Sequence, residues 1–479
     1  MASRALHNRV RPFTADRAAH TKMTHDPRDL ASFDRDVARA FGAWRTWKGD
    51  LARDPASCAD EEPLERWRHV AGKSLYETLA SLSPSAADVP HRDALRRWVY
   101  ALMLARITQS LDAEWARAEA ERTAHATVPV PHLASAREAW LGILEGATAH
   151  ERRAWLDVAT ERGPALASIA RRRAERRVEA AHRMGLADED ALFGVPRQAL
   201  VSAALALLDR TDDLAREALR DARKRGSFSD DPPLAVDAIA IAVARDAPEG
   251  WPARLTWQWL DATFGLFTKG LRLEAPRILA PIGASTFARV CASFGASLRV
   301  AGASPSLPFA LARDPQFTAM HRFACVFGAL PMSPVFQRRI LGNGARVAGA
   351  QARVLARTAL LHARLEAARF LSSRAPSAIP FDDLTHRLFG VPLPRALAGA
   401  WPRADDDAPA RLVALLTAPT LARDLVDRFD DDWFANPRAV LHVRAIASGP
   451  AHEDPSPEPG ADLAKTVTPL ARAFEEACG

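Results

Sequence analysis

Residues 314–330 read DPQFTAMHRFACVFGAL, and the interpretation of the whole chain turns on them. The stretch predicts a buried helix carrying His321 and Cys325, four residues apart. That spacing sets both side chains on one helical face, pointing the same way. Just upstream the texture changes. Alanine and arginine periodicity gives way to GASLRVAG over 295–302 and then SPSLPFAL over 304–311. Short runs bounded by Gly, Pro and Ser have the marks of strands, so one small antiparallel sheet is expected over 295–311, directly before the His321 helix.

Outward from this centre the pattern is helical. Phe33, Val37, Phe41, Trp44 and Trp47 fall at three- and four-residue steps, an amphipathic stripe. Pro63 is expected to open a helix carrying Trp67, Val70 and Leu75. After a break over 81–90, Leu95, Trp98, Val99, Leu102 and Ile107 form the buried row of a long helix. Helices are expected over 134–159, 165–184, 199–223, 234–245, 251–267 and 345–372, with shorter ones to residue 447. The tryptophans sit at core spacing and read as packing residues. In this division 1–26 is a disordered tail and 27–190 an N-terminal helical region. Residues 191–447 form a second helical region, and 448–479 a Pro/Glu/Asp-rich linker with a last helix. The phrase LFGVP occurs at 192–196 and 388–392; each copy stops a helix at Gly and restarts one at Pro, which is too little for a repeat architecture.

Composition narrows the function. Against 64 basic residues stand 58 acidic ones, so the net charge of +6 is no footprint of a dedicated nucleic-acid binder. The densest basic run, Arg171–Arg177, is interleaved with Glu175 and has Glu179 beside it. It has no aromatic platform, and reads as a solvated helix face. Cys58, Cys291, Cys325 and Cys478 are far apart with no C-x-x-C pair, which fits a reducing compartment. No run is long and apolar enough for a membrane span and the N-terminus lacks an apolar h-region, so a cytoplasmic location is expected. Gly72-Lys73-Ser74 lacks the first glycine of a P-loop, and no G-x-S-x-G elbow appears. The acidic groups Asp382-Asp383, Asp405–Asp407 and Asp430–Asp432 read as helix starts, where carboxylates complement the dipole.

The chemistry therefore rests on residues 321–325, H-R-F-A-C. Zinc hydrolases use the same frame as H-E-x-x-H, with two imidazoles on the metal and the Glu as general base. From Gly295 to about Arg444, the order of strand candidates, motif helix and following helices resembles the catalytic half of the helical zinc peptidases of the thimet oligopeptidase and oligoendopeptidase F group. The phrase RFDDDWFANPRA at 428–439 looks like the C-terminal end of bacterial members. The resemblance implies a mainly α, zincin-like architecture, with a short sheet over 295–311 beside the motif helix. It places metal ligands at His321 and Cys325, the catalytic base at Arg322, and a third ligand on a later helix.

The departures decide the expected function. Arginine stays protonated and cannot take a proton from zinc-bound water, and its charge would repel the metal. A cysteine thiolate can still ligate zinc. Residues 342–351 contain no acid, and the first one downstream is Glu366, four residues after His362. His321/Cys325 and His362/Glu366 are thus two i, i+4 pairs, enough for a closed and hence structural four-ligand site. The bland alternative is a hydrogen-bonded core histidine and a small buried thiol. The expectation is a catalytically inactive metallopeptidase-like protein with a cleft for a peptide or protein, most simply without a cofactor. Two other readings stay open: a zinc-dependent hydrolase using His321, Cys325 and Glu366, and a helical scaffold unrelated to peptidases.

Overall fold

The structure is a computed structural model, and the description covers residues 30–58, 61–125, 130–145, 148–193, 195–225, 256–273, 284–403, 405–451 and 463–478. Sixteen α-helices occupy these residues. They are α1 (Leu30–Arg53), α2 (Lys73–Ser81), α3 (Val89–Ala120), α4 (Ala136–Glu145), α5 (Ala149–Arg183), α6 (Arg197–Arg225), α7 (Trp257–Thr268) and α8 (Ala284–Gly302). The rest are α9 (Phe309–Ala312), α10 (Thr318–Ala329), α11 (Pro334–Arg339), α12 (Ala345–Arg374), α13 (Phe381–Phe389), α14 (Ala408–Phe429), α15 (Pro437–Ser448) and α16 (Leu463–Cys478). The helix expected over 234–245 and the tail before residue 27 lie outside the described residues.

The mainly helical architecture is the expected one, and it carries one small antiparallel sheet, but the sheet is elsewhere. β1 (Thr123–Ala124) pairs with β2 (Leu133–Ala134) in the N-terminal region. Residues 295–302 belong to α8, and 309–312 form the single turn of α9. The small residues that look like strand punctuation are a helix–helix seam. A Cβ on Gly295 would sit 2.5 Å from the Phe323 carbonyl oxygen and 2.8 Å from Phe327 Cβ. One on Gly328 would sit 3.0 Å from Ala292 Cβ. Glycine is needed there because α8 and α10 approach too closely for side chains on both.

Other boundaries follow local chemistry. The long helix expected across 134–159 is broken, and α5 restarts at a capping box. Thr148 Oγ1 accepts from the Glu151 N–H, while Glu151 Oε2 accepts from the Thr148 N–H. Pro63 opens only a 3₁₀ turn over 65–67; α2 begins at Lys73, with Gly72 extended at its N-cap. α13 ends on Gly390 at φ 75°, the left-handed C-terminal stop that the second LFGVP phrase encodes.

Three cores hold the elements. α1, α2 and α3 bury Val37, Phe41, Leu95, Trp98 and Tyr100 together, with Ala310 of α9 packed among them. A phenylalanine-rich core joins α7, α8, α10 and α11 through Phe264, Phe294, Phe327 and Phe336, with Trp433, Leu425 of α14 and Val440 of α15. The third gathers α4, α5, α6, α12, α13, α14 and α16 around Leu207, Leu360, Phe370 and Leu416. Where the first two meet, α10 starts beside α1 and leaves a cleft.

Candidate binding cleft

α10 forms as the sequence predicts, and its entry is unusual. Asp314 Oδ1 accepts from the N–H groups of Gln316 and Thr318. Phe317, at the N-cap, is forced to φ 60°, ψ 31°. Left-handed backbone at a large residue costs about 1–3 kcal/mol and persists only where packing imposes it. Here the ring is held against Phe41 and Trp98, centroids 5.7 and 6.1 Å away.

α10 packs on α8 and α14. The start of α14 brings Asp407 and Arg411 to His321, whose Nε2 lies 2.8 Å from Asp407 Oδ2. Burial alone would raise the Asp407 carboxyl, but the hydrogen bond with His321 and the Arg411 charge outweigh it and hold it below its ordinary value. Arg411 lies 3.0 Å from Asp407, 3.1 Å from Asp405 and 3.9 Å from Glu366. Arg369 donates to Glu366 Oε1 at 2.7 Å.

The four candidate ligands are therefore not gathered. Among the described residues no group of three or more His, Cys, Asp or Glu is placed to hold a metal ion. His321 is engaged by Asp407, and Glu366 by two guanidinium groups. Burial pushes the Cys325 thiol up to about 12, the Glu366 charge adding to the rise and Arg322 opposing it. His362 shares α12 with Glu366 and joins no such group. Arg322, at the position of the general base, is 1% exposed and turned into the α10–α14 seam, where its Nε donates to Thr417 Oγ1 at 3.1 Å. Arg322 thus offers no base at the position where H-E-x-x-H carries its glutamate.

The structure reveals a constellation that the sequence pattern hid. Arg173 and Arg177 of the basic run do not lie on a solvated face. Arg173 joins Asp112 of α3 to Asp406, at 2.7 Å each. Arg177 reaches Asp406 at 2.8 Å and also binds Glu189, which accepts from Arg374 of α12 at 2.8 Å. Lys48 of α1 closes on Asp112 at 3.0 Å. Arg171 and Arg172 do face solvent, so helical periodicity splits the run into two functions. Asp406 is likewise a half-buried ion-pair partner rather than a dipole-complementing surface acid. Burial would raise it, but Arg173 and Arg177 hold it well below the usual carboxylate range. The signal was available as a run of seven residues whose i, i+4 members share a face; what it lacked was the distant acids.

This network walls one end of the cleft. Its cavity of about 250 Å³ is lined by Lys48, Asp112, Arg173, Arg177, Arg374, Asp405–Asp407 and Arg411, with Trp44, Trp115 and Phe317. A second cavity of about 420 Å³ shares Trp44, Lys48 and Phe317 with it and runs on toward α8. The two adjoin at these side chains, the larger lying between α1 and the α8–α10 layer.

Comparison with known proteins bears on the fold. No protein-family model matches the sequence, and no curated protein matches it. The structure is similar to the crystal structure of a protein described as an oligoendopeptidase F from Bacillus anthracis strain Ames, with a TM-score of 0.50 and 10% identity. The match covers 93% of this chain and 85% of that one. At such identity the shared property is the mainly helical fold. The likeness is one of fold.

Proposed function

We propose that this chain is a catalytically inactive relative of the helical zinc peptidases, which binds a peptide or protein segment in the cleft between its N-terminal helices and the α8–α10 layer. The reading is supported above all by one observation: His321 and Glu366, where a metal site would be sought, are each already engaged by neighbouring side chains. His321 pairs with Asp407, and Glu366 Oε1 meets Arg369 and Arg411. Arg322 supplies a buried cation where a base would be needed. A cleft that keeps its walls but lacks a nucleophile-activating group can hold a chain without cutting it.

Purified protein should carry far less than one zinc per chain and take up none when zinc is added. A mixed library of fluorogenic peptides should remain uncut. Zinc-dependent cleavage that disappears in His321→Ala would overturn the proposal.

A second reading, a hydrolase or metal protein with altered ligands from His321, Cys325 and Glu366, has one observation in its favour. Glu366 Oε2 is buried without a hydrogen-bond partner, and Glu366 is near enough for its charge to act on the Cys325 thiol. Stoichiometric zinc uptake lost in both Cys325→Ala and Glu366→Gln would favour this reading. If the protein binds neither zinc nor any peptide, the remaining description is a helical scaffold.

A further inference from the structure

A further cavity, of about 400 Å³, is built on elements that line neither of the two cavities described above. α6 contributes Arg216, Leu219, Arg220, Arg223 and Lys224, and the end of α13 contributes Phe389 and Gly390. The described lining thus holds four cations and no carboxylate. Arg216 is answered by Asp213 at 2.5 Å. Among the described residues Arg220, Arg223 and Lys224 make no ion pair and no side-chain hydrogen bond. Arg223 is half-buried, and its Nε and Nη2 are shut off from solvent with no hydrogen-bond partner. Buried polar groups are as a rule hydrogen-bonded, and a charged one left without a partner costs more than a neutral one. The dipole of α6 favours basic residues in its last turn, Arg223 and Lys224 among them, but it fades within that turn and gives no reason for Arg220 and Arg216. As i, i+4 neighbours of like charge, Arg216 with Arg220 and Arg220 with Lys224 oppose the helix unless something negative sits between them.

We propose that this pocket binds a small soluble anion carrying clustered phosphate groups, an inorganic or organic polyphosphate. Guanidinium forks match phosphate oxygens in pairs, and a lysine adds a point charge. Three unpaired cations call for a ligand with several negative charges rather than one. A tetrahedral phosphate presents its oxygens in more directions than a planar carboxylate, which suits donors that reach it from three positions along one helix. The cavity lies at the small end of the range for ligand pockets, about 300–1,000 Å³, so it suits a compact anion better than an extended polymer. Arg220 and Lys224 are exposed and would collect the anion, while Arg223 would bind it where water is partly excluded and the attraction is stronger. The site is independent of the cleft and of what the cleft binds.

Isothermal titration of the full chain with inorganic triphosphate, at ionic strength held constant with chloride, should show saturable binding. Orthophosphate should bind more weakly, having less charge to set against three cations. Binding of triphosphate should weaken on the order of tenfold in Arg223→Gln and in R220Q/K224Q. The second variant changes only exposed side chains, so it decides the matter even where the first fails to fold. R171Q/R172Q, which removes the same charge from the exposed face of α5, should bind as the parent does. Triphosphate should also raise the thermal unfolding midpoint of the parent, and that of R220Q/K224Q much less, because a ligand of the native state alone stabilises it by mass action. No saturable binding at millimolar triphosphate, or equal binding by the parent and R220Q/K224Q, overturns the proposal. Sedimentation with phosphoinositide-containing vesicles tests the other source of clustered phosphate: vesicle binding without binding of free triphosphate overturns the soluble-anion site.

Discussion

At the scale of single residues, the buried ion pairs give the sharpest contrast. Arg177 is 3% exposed and Glu189 2%, and each has lost its water to the other. Removing one partner strands a charge in the interior, so Arg177→Met should destabilise the protein by about 3–5 kcal/mol. Arg172, five residues earlier, pairs with Glu114 on the surface, where such contacts are worth about 0–1 kcal/mol. Urea unfolding of the two variants should separate them clearly. Equal, small losses would mean that Glu189 and Asp406 find other partners. His321 belongs to the same logic: it bonds Asp407, a partner that its spacing from Cys325 does not reveal. The sequence could not choose between a metal ligand and a hydrogen-bonded histidine, because a histidine four residues from a cysteine has the same spacing in either case.

At the scale of elements, the seam between α8 and α10 is the instructive case. The run GASLRVAG is rich in residues that end strands and open turns, and nothing within it says otherwise. What decides it is α10, whose Phe323 and Phe327 need a neighbour thin enough to press against. The two readings differ in a measurable way. On a strand a β-branched residue would be welcome at position 295, whereas in the seam Gly295→Val overpacks the contact and should cost about 1–3 kcal/mol. The gain of about 1 kcal/mol that glycine replacement can bring to an exposed helix is outweighed by a Cβ 2.5 Å from a carbonyl oxygen. Calorimetry of Gly295→Val beside Gly42→Ala, a helical glycine with open space around it, tests this: the first should melt lower and the second no lower than the parent. Elements whose pattern is internal to themselves were legible. The stripe of α1, the length of α12 and the stop of α13 at Gly390 all follow from local chemistry.

At the scale of the whole molecule, the carboxylates make stability depend on acid. Asp112, Glu189, Asp406 and Asp407 are each raised by burial but held below their ordinary values by neighbouring cations or, for Asp407, by His321 as well. For a lowered carboxylate the contribution is present above the unfolded value, near pH 4, and is lost as pH falls toward the folded one. In that window the unfolded chain binds more protons. Asp190 runs the other way: burial raises it above its ordinary value, so it takes stability away as pH climbs past that value. Asp34 and Asp212 are lowered as well, so among the described residues six groups against one leave a net loss in acid. The urea midpoint should therefore be lower at pH 3 than at pH 6 with the slope unchanged, and an equal or higher midpoint at pH 3 would contradict this account of the network.

The sequence by itself determined that the chain is mainly helical, that α10 is a helix with His321 and Cys325 on one face, and that Arg322 cannot serve as a base. These follow from spacing along one chain segment and from the chemistry of single side chains. Only the tertiary structure decided where the sheet lies, which arginines of 171–177 are buried, and that His321 faces Asp407, eighty-six positions away. The physical reason is the same in each case. Burial, ion pairing and close helix approach are properties of two segments at once, and no pattern within either segment records its partner.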